Sequence, residues 1–189
     1  ATTATVCDEV YRTLMKMRWQ PSLQIIPHYE SEPLYIQAIV NSINNKLSNI
    51  NWKPDLILAS YHGIPKKYFD KGDPYHCYCH KTSRLIKETF KKDIPILTTF
   101  QSRFGPQEWL QPYTDKTLEN LPKEGKKNVL VISPGFSSDC VETLEEISIQ
   151  GKESFLESGG EKFDTIPCLN DNEDHIKLLV HLINKSIRK

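Results

Sequence analysis

What this chain has little of narrows it first. Its 189 residues carry no net charge, 24 Lys and Arg against 24 Asp and Glu, so no basic field draws it to nucleic acid. No apolar run approaches ~18 residues, so no stretch reads as a membrane-spanning helix. No charged segment followed by an apolar run reads as a signal peptide. The cysteines are Cys7, Cys77, Cys79, Cys140 and Cys168, odd in number and irregular in spacing. That is not a disulfide framework, and it points to a reducing compartment, with the cytoplasm as the expected location. Phosphate loops, Gly-x-Ser-x-Gly elbows and His-Glu-x-x-His motifs are missing, as are internal repeats. The chain opens on Ala1 rather than Met, and reads as a piece of something longer.

What is present describes a globular α/β protein. Hydrophobic residues make up 38% and charged residues 25%, enough for one core, or one domain with an appendage. Helical spacing covers residues 3–18, with Pro21 as its stop, and a second helix opens at Pro33. Short apolar runs predict strands at 23–26, 56–59, 95–100 and 129–132, and a last strand or extended segment at 163–166. Helices are expected over 76–90, from Thr114 or Asp115, from about Asp139 to 157, and over 171–187. The last has Ile176, Leu179, Val180, Leu182 and Ile183 on its apolar side. Strand followed by helix, repeated, predicts a doubly wound, mostly parallel sheet of about four strands.

The unusual polar residues cluster after strands. His62 is expected just past the end of the 56–59 strand, where Gly63 and Pro65 forbid continued strand or immediate helix. Gln101 to Trp109 follow the next strand, and Asp139 to Glu142 a third. Parallel topology brings all three loops to one edge, the usual ligand edge of such sheets. Two readings of Glu142 stand side by side: the last member of a capping box begun by Asp139, or a catalytic carboxylate. Glu142 and Glu146 share a helix face and repel unless a cation or proton relieves them, so that face is either a solvated acidic surface or a metal route. His62 and Glu142 across a cleft suit loose metal binding or proton removal. Tyr61, Phe104, Trp109 and Phe136 offer flat apolar walls for a large aromatic ligand, with two of the four expected to be core instead. Arg103 and Ser102 are placed to hold an anionic substituent. His76-Cys77-Tyr78-Cys79-His80 resembles a metal motif, but no second cysteine pair closes a zinc site.

Three blocks together resemble the ferrochelatase family. They are Ser60-Tyr61-His62-Gly63-Ile64-Pro65 with Lys71-Gly72-Asp73-Pro74-Tyr75, then Thr99-Phe100-Gln101-Ser102-Arg103-Phe104-Gly105-Pro106 with Trp109-Leu110, then residues 134–146 from Pro134 through Glu142 to Glu146. The match is nearest to proteobacterial members and spans about the C-terminal half of the family's length. It implies a chelatase-like lobe of periplasmic-binding-protein-like type, facing a second lobe across a porphyrin cleft. In that scheme residues 1–20 are a linking helix from an N-terminal lobe, 21–168 the C-terminal lobe, and 169–189 a helix returning to the partner lobe. The implied reaction inserts Fe2+ into protoporphyrin IX, with Fe2+ as substrate and no resident cofactor. By resemblance His62 and Glu142 are catalytic, and His62, Glu142 and Glu146 meet the metal. Ser102, Trp109, Phe136 and Tyr61 line the porphyrin site. Gln150 stands where some members extend the acidic row, and no four-cysteine pattern is present, so no iron–sulfur cluster is expected. The alternative is a catalytically silent porphyrin- or metal-binding module; a chelatase for a corrin precursor fits the Trp109 and Phe136 blocks less well. Peripheral membrane association would rest on apolar surface that the sequence does not locate.

Overall fold

A computed structural model describes residues 2–187. Its centre is a four-stranded, wholly parallel sheet in the order β2-β1-β3-β4, formed by β1 (Leu56–His62), β2 (Ile96–Gln101), β3 (Asn128–Ile132) and β4 (Lys162–Thr165). Alternation along the strands divides the core in two. Ile57, Ala59, Tyr61, Leu130 and Ile132 pack on one face against α2 (Pro33–Asn49), α4 (Tyr75–Phe90) and α7 (Glu173–Ile187). Leu56, Leu58, Val129 and Val131 pack on the other with Leu118, Ile147 and Phe155. These last come from α5 (Thr114–Asn120), from a π-helical stretch at Glu142–Gly151, and from its continuation α6 (Lys152–Glu157). Burial on both faces is what the continuous apolar runs require.

The connections leaving β1 and β3 diverge. The chain leaves β1 toward α4 on the first face, and leaves β3 toward the π-helical stretch on the second. A crevice opens between two such strand ends, and this is the switch point at which open α/β sheets place their ligands.

Several boundaries depart from the sequence reading. His62 is the last residue of β1, not a loop residue beyond it, because pairing continues to His62 opposite Gln101 and the Gly63 amide donates to the Gln101 carbonyl at 2.7 Å. Pro65 does not prevent an immediate helix: α3 (Lys66–Asp70) follows it directly, since a fixed negative φ, here −54°, leads readily into a helical turn. Residues 23–26 form no strand; Leu23, Ile25 and Ile26 stay exposed and no strand edge pairs with them. The helix expected to 18 stops at Leu14 as α1 (Thr2–Leu14), and none of its residues is buried. In α7 the inward side chains are His175, Leu178 and Leu182, packed with α2, while Ile176, Val180, Ile183 and Ile187 face outward. His175 turns inward because its Nδ1–H donates to the Asn170 carbonyl.

Candidate functional site

The crevice is built by three strand ends. At β1, the His62 ring hydrogen-bonds through Nδ1 to the Gly63 carbonyl at 2.6 Å, so Nδ1 carries a proton and the neutral form of the ring keeps its lone pair on Nε2. The Tyr75 hydroxyl donates to the His62 carbonyl at 2.9 Å and anchors the backbone below the ring. Gly63 has to be glycine here. A Cβ would lie 2.9 Å from the Gln101 carbonyl oxygen and 3.2 Å from the Trp109 ring, and the carbonyl is locked in the sheet.

Opposite His62 stands Glu142, the first residue of the π-helical stretch. Hydrogen bonds from the Cys140 thiol and from its own amide, with the facing His62, hold its carboxyl below the usual carboxylate range. The capping box is not formed. Thr143 Oγ1 accepts from the Cys140 amide and donates to Asp139, which also takes hydrogen bonds from Asn170 Nδ2 and the Cys168 amide. Glu142 is thereby left to face the crevice. Phe136, half-buried, has its ring centre 6.2 Å from that of His62.

Glu146 is tied to β2. Ser102 donates to it through both its amide, at 2.6 Å, and its hydroxyl, and Gln101 Nε2 approaches at 3.5 Å. Ser102 takes a left-handed φ of 64° to present both donors to one carboxylate. The expected Glu142–Glu146 repulsion is therefore relieved by separate donors on each side. Both groups expected on a metal or propionate route, Glu146 and Ser102, spend their polar atoms on each other. Arg103 likewise pairs with Asp115 at 2.7 Å and lies 4.2 Å over the Tyr113 ring. A cavity of ≈ 380 Å³ lies beside this cluster, walled by Gln101, Ser102, Arg103, Asp115, Glu146 and Gln150.

Of the four aromatic walls, Tyr61 and Trp109 are buried, Phe136 is half-buried and Phe104 is exposed. Tyr61 shares a hydrogen bond with the Ser83 hydroxyl at 2.9 Å, and burial pushes its phenol well up, so it stays neutral. It nonetheless helps wall a second cavity of ≈ 290 Å³ with Tyr29, Tyr35, Tyr75, Tyr78 and Pro134. Trp109 packs beneath Gly63, its indole donating to the Phe104 carbonyl at 3.0 Å. Among the described residues no three His, Cys, Asp or Glu side chains gather closely enough to hold a metal.

Sequence reasoning missed the polar chain behind the crevice. Thr99, Thr114, Ser60 and Gln101 are buried and linked by hydrogen bonds of 2.7–2.9 Å, and Gln101 Nε2 donates to the Glu142 carbonyl at 2.7 Å. The signal was present: Ser60 and its register partner Thr99 are polar, as are His62 and its partner Gln101, all on the side that faces the π-helical stretch.

The ferrochelatase family profile matches residues 1–187. Among curated relatives, a protein named ferrochelatase from Rhizobium meliloti is 56% identical over 190 residues, covering 99% of this chain and 56% of that protein. The ferrochelatase of Allorhizobium ampelinum is 55% identical over all of this chain and 55% of its own length. That of Agrobacterium fabrum is 49% identical over the same shares. The chain thus spans about half the length of the curated relatives it matches.

Proposed function

The chain belongs to the ferrochelatase family, and from that membership we propose that it supplies the half of a ferrochelatase that carries the metal-insertion residues. The reaction takes Fe2+ and protoporphyrin IX to protohaem with release of two protons. Two groups are needed at the porphyrin face: one to accept pyrrole protons and one to hold the incoming cation.

The observation that carries the reading is the facing of His62 and Glu142 across the crevice, close enough for the imidazole to act on the Glu142 carboxyl. The Gly63 carbonyl fixes the tautomer that leaves Nε2 of His62 basic, and the Cys140 thiol and the Glu142 amide keep Glu142 ionised. An imidazole whose Nε2 is free of a proton, beside a carboxylate, can accept a pyrrole proton while the carboxylate holds the cation. Phe136 offers a face for the macrocycle next to His62, and Trp109 supports the loop from below. Glu146 and Ser102 act as one unit at the rim. The partner implied is the preceding half of a full-length family member, which would close the crevice from the other side.

The test is anaerobic insertion of Fe2+, or Zn2+ as a surrogate, into a soluble porphyrin, followed by absorbance. The chain is assayed alone, with a separately made preceding half, and as His62→Ala. Turnover that appears with the added half and is lost in His62→Ala is the expected result. Porphyrin binding without turnover in every combination would overturn it and leave a silent porphyrin-binding module. That second reading draws on one fact, that the chain spans about half of its relatives.

A further inference from the structure

The His76-Cys77-Tyr78-Cys79-His80 segment takes no part in the crevice. Since α4 begins at Tyr75, His76 and His80 stand four residues apart in its first turns, on one side of the helix. Their ring centres are 4.4 Å apart. With metal–nitrogen bonds of about 2.0–2.1 Å, two imidazoles this close reach neighbouring positions of one coordination sphere. The register separates them from the crevice. Phe100, whose ring stacks with His76 at 5.7 Å, points to the same face as Tyr61, while its neighbour Gln101 points with His62 to the opposite face.

We propose that His76 and His80 form a second metal site, a two-imidazole chelate for a borderline divalent transition metal such as Zn2+, Ni2+ or Cu2+, on the face of the sheet away from His62 and Glu142. Imidazole donors suit these ions, and hard oxygen-seeking ions such as Mg2+ and Ca2+ are disfavoured. The pair is pre-arranged. The His76 ring lies against Phe69, at 4.8 Å, and Phe100, while the His80 ring, at the exposed side, stands 6.2 Å from that of Phe100. Partial burial of the rings lowers the pKa of both imidazoles, and the neighbouring His80 adds to the effect on His76, which favours the metal-binding neutral forms.

The neighbouring thiols are not ligands. Cys79 is buried, its thiol pushed up to about 12 by burial, which keeps it protonated. Cys77 follows His76 directly and leaves the helix in a different direction. The chelate is therefore two-coordinate from the protein, with water or an external donor completing it.

The site does not depend on the chelatase reading. The test titrates Zn2+ into the His62→Ala chain by calorimetry, with imidazole resonances followed by NMR, so that failure here and failure of the crevice chemistry are read separately. One saturable equivalent is expected, moving the His76 and His80 resonances together. Adding His80→Ala, a change at an exposed position, should weaken binding at least tenfold, whereas adding Cys77→Ser should leave it unchanged. Absence of saturable binding, an affinity indifferent to His80→Ala, or a loss on Cys77→Ser would each overturn the assignment.

Discussion

Glu142 owes its charge state to a neighbour two residues away. The Cys140 thiol is the largest influence holding its carboxyl low, ahead of its own amide and of His62. A depressed folded-state pKa gives stability that is present above the unfolded value and lost as pH falls through the folded one. Cys140→Ala should therefore move the Glu142 carboxyl titration upward, toward the ordinary carboxylate range, while Cys140→Ser, which keeps a donor, should hold it low. Carboxyl-carbon NMR shifts of Glu142 through the acid range read this directly. Because Glu142 is open to water, the change in folding stability should be slight and confined to acid pH. A Glu142 titration in Cys140→Ala that is unchanged from the parent chain would mean that the thiol is not the donor.

Between elements, Gln101 is the fastener. Its side-chain oxygen accepts from Ser60 on β1, and its amide nitrogen donates to the Glu142 carbonyl at the start of the π-helical stretch. The residue is buried, so water cannot replace either partner. Gln101→Leu removes the side-chain bond to the Glu142 carbonyl, which keeps only its bond within the π-helical stretch, and leaves Ser60 only its bond to Thr114. At about 0.5–1.5 kcal/mol net for each of the two hydrogen bonds lost, we expect a loss of about 1–3 kcal/mol, since each partner keeps one bond. It should appear as a lower urea midpoint at unchanged slope. A loss below about 0.5 kcal/mol, the range of an ordinary surface change, would show that the fastener is not needed. This element also marks the limit of what the residues alone disclose. The run Leu56-Ile57-Leu58-Ala59 announces a strand because both faces are buried, and strand–helix alternation announces parallel order and a shared edge for His62 and Glu142. The apolar 23–26 run carries a similar local signal and forms no strand, since pairing needs a free edge and no local pattern encodes one. The π-helical widening is equally non-local. A Cβ at Gly151 would meet Leu118 of α5 at 3.2 Å and the Glu146 carbonyl at 3.3 Å, so the turn depends on contacts more than thirty residues away as well as on its own ladder. Glu146 is legible as an acid, but its engagement by Ser102, 44 residues earlier, is not.

At the scale of the molecule, apolar surface is unevenly used. The stripe Ile176, Val180, Ile183 and Ile187 runs along the outer side of α7, and α1 buries nothing while exposing Val6 and Tyr11. The inner side of the same α7 is different in kind: Leu178 is fully buried and Leu182 nearly so, both against the core shared with α2. The two sides of one helix therefore answer to different partners, and substitutions can separate them. Leu178→Ala should cost about 2–5 kcal/mol of folding stability in the isolated chain, through lost burial and a cavity. Ile176→Glu, Val180→Glu and Ile183→Glu together should change that stability little, because each side chain already faces water and glutamate is a good helix former. If the outer stripe receives the preceding half of a full-length family member, the triple variant should lose association with that half in sedimentation velocity, and with it the porphyrin-insertion activity that the added half confers. Undiminished association in the triple variant would move the docking surface elsewhere, while a large drop in the melting temperature of the isolated chain would show that the outer stripe belongs to the core after all.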